Sequence, residues 1–301
     1  MQHSGKMAKI DVQQEVLAKL RDKTVIVTGG ANGIGKTTVM LLHRLGANVV
    51  IGDLDVENGE ALVRAIDGAG VFQKTDVTQW ESLRSLFETA RSKYGTIDVV
   101  IANAGMPEKG PFLLQDQMDA NGELAEPDCR IIDVNLNGVL RTTKLAFYHF
   151  ARNKTPGGVL VMTGSAASYF ASPPIIQYGA AKHALLGIMR ATAAMSQPQN
   201  VRVNLVAPWM TETEFSSEVT EIWGDLPKNT TLEVAEALCV AAADENLHGR
   251  CLYVAKEIVD FELPLHRASA EWMSPKQSKL FEEGRQRLAG GMGFPTTHYL
   301  E

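Results

Sequence analysis

The chain has 301 residues, which is enough for one large domain or at most two small ones. Its hydrophobic fraction of 45%, its charged fraction of 21% and its net charge of −6 are those of an ordinary globular protein in water. No block of Lys and Arg interleaves with aromatic residues. We therefore expect no nucleic-acid partner and no anionic membrane partner.

The sequence also argues against a membrane span, a secretory signal and a metal site. It has no run of eighteen apolar residues, and the polar segment 1–22 lacks the apolar core of a signal peptide. Cys129, Cys239 and Cys251 do not have the short paired spacings of a disulfide framework or a zinc site. We expect buried free thiols and a cytoplasmic location.

Seven short β-rich runs alternate with helical patterns along the chain. The predicted strands are residues 23–28, 47–52, 70–74, 97–102, 158–163, 201–207 and 250–255, and the predicted helices are 34–45, 56–66, 79–94, 129–153, 178–195 and 231–243. The runs are almost continuously apolar, which is typical of strands buried on both faces. The sequence therefore predicts an α/β fold of the Rossmann type, a doubly wound, seven-stranded parallel sheet with helices on both faces.

One domain is expected over residues 23–262. Residues 1–22 are predicted to form an extension that packs on the surface or frays, and 263–301 a tail with an amphipathic piece near 278–288. The segments 104–130, 166–177 and 209–230 follow predicted strands. We expect them to form the loops of a substrate pocket.

A glycine cluster, TGGANGIG at residues 28–35, follows the first predicted strand and opens a helix. Glycine permits the tight turn and lets backbone N–H groups approach a phosphate at the helix N-terminus. The overlapping segment 30–37, GANGIGKT, also satisfies the P-loop pattern GxxxxGK(S/T), which would place Lys36 on phosphates and Thr37 on Mg²⁺. A P-loop nucleotide hydrolase therefore stays open as an alternative.

Asp53 ends the second predicted strand, at the spacing of the acidic residue that binds the ribose hydroxyls in dinucleotide folds. A carboxylate there repels the 2′-phosphate of NADP, and neither Leu54 nor Asn32 is basic. These residues predict NAD as the cofactor. An alternative is that Asp53 caps the following helix.

The motif YGAAK places Tyr178 and Lys182 on one helix face, with Ser165 thirteen positions before the tyrosine. Together with TGGANGIG, the NAG of residues 103–105, Asn135 in DVNLNGV and the segment TGSAAS, this motif resembles the classical short-chain dehydrogenase/reductase family over about residues 22–260. The ending 254–257 lacks the glycines of the usual VDGG turn and is similar to the branch with NAD-dependent 15-hydroxyprostaglandin dehydrogenase.

The resemblance implies four catalytic residues. Tyr178 would be the acid/base, Ser165 would bind the substrate oxygen, Lys182 would hold the nicotinamide ribose, and Asn135 would steady a water that links Lys182 to solvent. The implied cofactor-binding residues are Gly29, Asn32, Gly33, Ile34, Gly35, Asp53, Leu54, Asp76, Val77, Asn103, Ala104, Gly105, Tyr178, Lys182, Pro208, Thr211 and Thr213.

A free tyrosine has a pKa near 10 and is a poor base at neutral pH. We expect the Lys182 ammonium and the positive nicotinamide to lower the pKa of Tyr178, because both favour the phenolate. The chain departs from the family at Trp209, where Pro-Gly is usual and the sequence has Pro-Trp. The indole is therefore predicted to face the substrate pocket or its lid.

The predicted function is interconversion of a hydrophobic secondary alcohol and its ketone by an NAD(H)-dependent oxidoreductase. The apolar character of the substrate is inferred from loop residues Met106, Phe112, Tyr169, Phe170, Trp209, Phe215 and Trp223. Helices 129–153 and 178–195 carry apolar residues on several faces, which predicts a homodimer or homotetramer. Besides the P-loop hydrolase, a non-catalytic homologue that only binds a dinucleotide remains as an alternative.

Overall fold

Nine strands form one sheet in the computed structural model, which describes residues 8–213, 222–265 and 274–291. The strands are β1 (Ala8–Lys9), β2 (Thr24–Thr28), β3 (Asn48–Asp53), β4 (Val71–Lys74), β5 (Val99–Ala102), β6 (Gly158–Thr163), β7 (Val201–Pro208), β8 (Cys251–Ala255) and β9 (Glu257–Asp260). Their spatial order is β1-β9-β8-β7-β6-β5-β2-β3-β4.

The seven strands from β2 to β8 run parallel to one another, which confirms the predicted doubly wound sheet. Two short strands were not predicted: β9 pairs antiparallel with β8, and β1 pairs antiparallel with β9. The chain reverses after β8 at Lys256, whose φ of 61° supplies the tight turn without glycine. With two residues, β1 is too short to show a period in the sequence.

Helices cover both faces of the sheet. They are α1 (Gln14–Leu17), α2 (Gly33–Arg44), α3 (Val56–Ala65), α4 (Trp80–Tyr94), α5 (Arg130–Ile132), α6 (Gly138–Phe150), α7 (Ile176–Ser196), α8 (Thr231–Ala243) and α9 (Pro275–Gly291). Within β2, Val25 and Val27 join a core with α2, α3 and α8, whereas Ile26 joins a core with α4, α6 and α7. This alternation is the period of two that a strand buried on both faces imposes.

Three expectations from the sequence need correction. The predicted helix 129–153 is interrupted, since Asp133–Asn137 is a π-helical stretch between α5 and α6. The predicted N-terminal extension is part of the packed domain from residue 8 onward, because Leu17 and Leu20 are buried in the core. Cys129 is exposed, although Cys239 and Cys251 are buried free thiols as expected.

The topology places a crevice where the sheet changes direction. From β2 the chain builds outward through β3 and β4 on one side and through β5 and β6 on the other. In such sheets the ligand lies at the carboxyl ends of the strands, beside the point where the order reverses. No helix in the described parts of the chain is long and apolar enough to span a bilayer.

Candidate active site

A cleft of about 1130 Å³ lies at the carboxyl ends of the parallel strands. Its lining includes three of the four predicted catalytic residues and every predicted cofactor residue: Gly29, Asn32, Gly33, Ile34, Gly35, Asp53, Leu54, Asp76, Val77, Asn103, Ala104, Gly105, Ser165, Tyr178, Lys182, Pro208, Thr211 and Thr213. Asn135 is the predicted residue that is absent from this lining. The motifs, which are spread over 185 positions, therefore converge on one cleft.

The glycine loop is close-packed against the rest of the site. A Cβ on Gly35 would lie 1.9 Å from the carbonyl oxygen of Gly29, and one on Gly29 would lie 2.7 Å from Cα of Ala104. Gly33, with φ of 53°, begins α2, and the preceding Asn32 makes no side-chain cap to that helix. The first N–H groups of α2 are therefore open to a phosphate, which fits a dinucleotide pyrophosphate.

Asp53 stands beside this loop and does not cap the next helix. Its Oδ2 accepts the Ala31 N–H at 2.9 Å and its Oδ1 accepts the Asp55 N–H at 3.1 Å. Asp55, and not Asp53, is the cap of α3, since it accepts the Asn58 N–H at 3.0 Å. The alternative role of Asp53 as a helix cap is therefore wrong.

The two side chains that a P-loop would need are outside the cleft lining. Lys36 is exposed, and the Thr37 hydroxyl donates to Oγ1 of Thr231 at 2.8 Å. Thr37 thus ties α2 to α8 and does not face a nucleotide. The P-loop alternative has no support in this geometry.

At the far end of the cleft, Asp76 and Val77 follow β4. Oδ1 of Asp76 accepts both the N–H and the hydroxyl of Thr78, at 2.9 and 2.7 Å, which fixes the turn after the strand. Val77 packs against Gly138, where an added Cβ would lie only 2.8 Å from its methyl group. Leu54 is largely exposed at this end.

Asn103 links the glycine loop to the catalytic lysine. Its amide nitrogen donates to the Gly29 carbonyl at 2.9 Å, and its amide oxygen accepts the Thr163 hydroxyl at 3.1 Å. The Thr163 carbonyl in turn accepts from Nζ of Lys182 at 2.8 Å. Thr163 is the first residue of the TGSAAS segment, but the resemblance assigned it no role. The loop and the lysine are therefore held as one unit.

Tyr178 and Lys182 lie in the first two turns of α7, with Nζ of Lys182 5.6 Å from the centre of the Tyr178 ring. Burial raises the pKa of Tyr178, and the side-chain hydrogen bond with Ser165 lowers it only in part. Burial also lowers the pKa of Lys182 to about 8. The expected lowering of the Tyr178 pKa by its lysine neighbour is thus absent among the protein groups, because both side chains are removed from water.

Asn135 lies behind the cleft in the π-helical stretch and is fully buried. Its side chain holds the backbone of Met106 at both ends, accepting the N–H at 2.8 Å and donating to the carbonyl at 2.9 Å. A Cβ on Gly105 would lie 3.1 Å from Oδ1 of Asn135, so the glycine of NAG makes room for this contact. The water relay to Lys182 stays a prediction.

Four rings line the other half of the cleft: Phe170, Trp209, Trp223 and Tyr253, which we call the aromatic wall. Trp209 is central, with ring centroids 5.4 Å from Trp223 and 6.5 Å from Tyr253, both edge-on. Phe170 meets Tyr253 edge-on at 6.2 Å. The bulky residue in place of the usual glycine therefore faces the cleft. Tyr253 was missed because it belongs to the predicted last strand.

The aromatic wall is supported by the segment after β9, which contains a buried carboxylate. Phe261 stacks on Tyr253 at 4.4 Å, and the next residue, Glu262, is almost fully buried. Glu262 accepts the Tyr169 hydroxyl at 2.5 Å and two hydrogen bonds of 2.8 Å from Arg190. This bidentate pair ties the segment after β9 to α7. Tyr169, expected in the pocket, belongs to this support.

The remaining predicted residues divide between the cleft rim and undescribed segments. The Thr211 hydroxyl donates to the Trp209 carbonyl at 2.9 Å. Thr213 lies close to Gly33, since a Cβ added to that glycine would be 3.4 Å from the Thr213 methyl group. Met106 lines the cleft, whereas Phe112 is absent from the lining. Phe215 lies outside the described residues.

The fold agrees with the comparisons to known proteins. The chain belongs to the short chain dehydrogenase family, whose model matches residues 23–222. It is 35% identical to the short-chain dehydrogenase/reductase ascJ of Acremonium egyptiacum, over 83% of this chain and 84% of the relative. It is 32% identical to the 5′-hydroxyaverantin dehydrogenase of Dothistroma septosporum, over 80% and 87% of the two chains.

Solved structures show the same architecture. The 3-ketoacyl-(acyl-carrier-protein) reductase of Brucella melitensis, solved as a complex with NADH, superposes with a TM-score of 0.69 at 26% identity, over 78% of this chain and 97% of that one. The protein is therefore an oxidoreductase of a family whose fold binds a nicotinamide dinucleotide.

Proposed function

We propose that the protein interconverts a hydrophobic secondary alcohol and its ketone with NAD(H). One observation carries this proposal: Ser165, Tyr178 and Lys182 line the same cleft as the glycine loop and Asp53, with the aromatic wall beside them. A site that only bound a dinucleotide would have no need of an acid/base group and a hydrogen-bond donor side by side. The arrangement therefore supports catalysis over the non-catalytic alternative.

NAD is proposed over NADP because of the groups at the mouth of the glycine loop. The Asp53 carboxylate lies there, and its neighbours Leu54 and Asn32 bring no positive charge. A 2′-phosphate would meet a negative charge with no cation to balance it. When bound, NAD(H) would supply the hydride acceptor for alcohol oxidation and the hydride donor for ketone reduction.

The proposed proton chemistry belongs to the side chains of α7 and of the turn after β6. Ser165 holds the substrate oxygen next to Tyr178, which accepts the alcohol proton during oxidation and returns it during reduction. Lys182, fixed by Thr163, contributes a positive charge beside the phenol and a donor for the ribose. In oxidation, the alcohol thus loses one proton to Tyr178 and one hydride, leaving the ketone.

The hydrophobic substrate is inferred from the chemistry of the lining. Of the described residues in the cleft, the charged ones are Asp53, Asp76 and Lys182, and none of them belongs to the aromatic wall. A ligand next to this wall would bury apolar surface and meet ring faces and edges. One relative is named 5′-hydroxyaverantin dehydrogenase, and the hydroxyl group in the name of its substrate agrees with the proposal of an alcohol substrate.

Three further proposals accompany the activity. We propose a homodimer or homotetramer, supported by Leu140 and Tyr148, which are about half exposed on one face of α6. Light scattering after size exclusion tests this, and a monomer would contradict it. A cytoplasmic location and membership of the 15-hydroxyprostaglandin dehydrogenase branch stay hypotheses, which cell fractionation and assay of a prostaglandin alcohol would test.

The test of the activity is absorbance at 340 nm with NAD⁺ and a panel of hydrophobic secondary alcohols. We expect turnover by the wild type and a loss of at least about a hundredfold in Tyr178→Phe, which keeps the ring but removes the proton-transfer group. The affinity for NADH, measured in both proteins by the fluorescence of the bound cofactor, should be the same. Equal turnover by the two proteins would show that the mechanism is wrong. Binding without turnover of any alcohol would favour the non-catalytic alternative.

A further inference from the structure

The N-terminus of α7 is capped by a residue far away in the sequence. A helix starts with N–H groups that have no partner inside the helix, and the local cap position of α7, Ile175, offers no side-chain acceptor. The Ile176 N–H donates to the Pro174 carbonyl at 2.9 Å. The Tyr178 N–H donates to Oε2 of Glu108 at 2.8 Å, across 70 residues of sequence. The cap therefore acts on the backbone of the proposed acid/base residue itself.

Glu108 belongs to a segment that is also fixed at its other end. Two residues earlier, Met106 has its N–H and its carbonyl both bound by the Asn135 side chain. Residues 106–108 thus form a brace that runs from the π-helical stretch to the first turn of α7. Asn135 lies outside the cleft lining, but its side chain is linked to Tyr178 through this brace.

We propose that Glu108 is a positioning residue, which fixes the first turn of α7 so that the Tyr178 phenol keeps its place beside Ser165. The carboxylate suits this role because negative charge at a helix N-terminus is favourable and the bond to an ionised acceptor is strong. Its second oxygen, Oε1, is buried and makes no hydrogen bond among the described residues. Among the described residues, the Tyr178 amide is therefore the hydrogen-bond partner of the Glu108 side chain.

Loss of the hydrogen bond between Glu108 and the Tyr178 amide should lower turnover more than it weakens binding of the dinucleotide. The glycine loop and Asp53 are on other elements, so the dinucleotide site is left in place. A displacement of about 1 Å at a reacting group can reduce turnover about a hundredfold. Because the Ser165 hydrogen bond lowers the pKa of Tyr178, a phenol that loses this bond should also titrate at higher pH.

The experiment compares Glu108→Ala with Glu108→Gln and rests on the proposed activity. Glutamine keeps an acceptor oxygen at the same reach, whereas alanine removes the cap. We expect kcat for alcohol oxidation to fall at least about tenfold in the alanine variant, with KM for NAD⁺ within about twofold. The pH midpoint of kcat should move upward. The glutamine variant should stay within about threefold of the wild type.

Two further measurements separate positioning from general stability. Hydrogen–deuterium exchange at the Tyr178 amide should accelerate in Glu108→Ala and not in Glu108→Gln, with or without cofactor. The matched control is Glu233→Ala, which removes a glutamate that caps α8 by accepting the Thr230 N–H at 2.6 Å. This control should lose stability and keep its kcat.

The outcomes distinguish the two proposals. If Tyr178→Phe turns over like the wild type, the proposed activity is wrong and the role of Glu108 falls with it. If Tyr178→Phe is inactive while Glu108→Ala keeps full kcat and an unchanged pH midpoint, the activity stands and only the positioning role is overturned. A loss in Glu108→Ala that glutamine does not restore, or that Glu233→Ala reproduces, would also overturn it.

Discussion

Replacement of Lys182 by methionine should stabilise the protein at neutral pH while it abolishes turnover. Burial lowers the pKa of Lys182 from 10.5 to about 8. A fall of this size corresponds to about 3 kcal/mol of unfavourable free energy for the buried ammonium. Below pH 8 the lysine is protonated in the folded and the unfolded chain, so the folded state carries this destabilisation in full. Between pH 8 and 10.5 the unfolded chain binds more protons, so the stability of the wild type rises.

The gain in stability from removing the ammonium is opposed by the loss of a hydrogen bond. Nζ of Lys182 donates to the Thr163 carbonyl, and losing this bond costs about 1 to 3 kcal/mol of stability. We therefore expect Lys182→Met to be about 1 kcal/mol more stable than the wild type at pH 7. By pH 10 its advantage should have fallen by about 2.5 kcal/mol and changed sign.

Urea unfolding at pH 7, 8, 9 and 10 measures this difference at fixed protein concentration, followed by the fluorescence of the four tryptophans. Lys144→Met, an exposed lysine on α6, is the matched control and should run parallel to the wild type. The reasoning is refuted if the free-energy difference between Lys182→Met and the wild type stays constant from pH 7 to 10. It is also refuted if the variant keeps its turnover.

Two other substitutions test the cofactor and substrate halves of the cleft. Asp53→Asn keeps an acceptor for the Ala31 N–H but removes the negative charge. The ratio of kcat/KM for NAD⁺ to kcat/KM for NADP⁺ should therefore fall about tenfold or more. An unchanged ratio would mean that Asp53 does not set the cofactor preference. Trp209→Gly should lower kcat/KM about tenfold or more for bulky apolar alcohols and little for 2-propanol. Trp80→Gly, exposed on α4, is its control, and equal losses for large and small alcohols would contradict the role of the wall.

The sheet and most of the cleft lining could be predicted because their signals are local. A strand buried on both faces is a continuous apolar run, as Val25 to Val27 in β2 show, and the residue that ends such a strand lies at the ligand edge of the sheet. Asp53 could be placed in this way, whereas Asp76 was placed by the resemblance to the family. The glycine loop also has a local signal in the sequence, because its close contacts permit no side chain at Gly29 and Gly35.

Contacts between irregular segments far apart in the sequence could not be predicted. Nothing in the spacing of Glu108 and Tyr178, or of Arg190 and Glu262, shows that these side chains meet. Such contacts have no period, and they depend on where two loops lie after the sheet has formed. The π-helical turn around Asn135 was missed for a different reason: the apolar pattern of an α-helix continues through it.

The pKa of Tyr178 shows why neighbouring residues in a motif do not settle their chemistry. The spacing of YGAAK places an ammonium beside a phenol, which favours the phenolate, but it does not show how far either group is removed from water. Burial acts on both groups in the same direction, towards their neutral forms. In the proposed mechanism, the protein therefore keeps Tyr178 protonated at neutral pH until a further positive charge enters the cleft. The oxidised nicotinamide carries that charge, so the base would form only where the hydride acceptor is bound, and the pH series on Lys182→Met tests the lysine half of this argument.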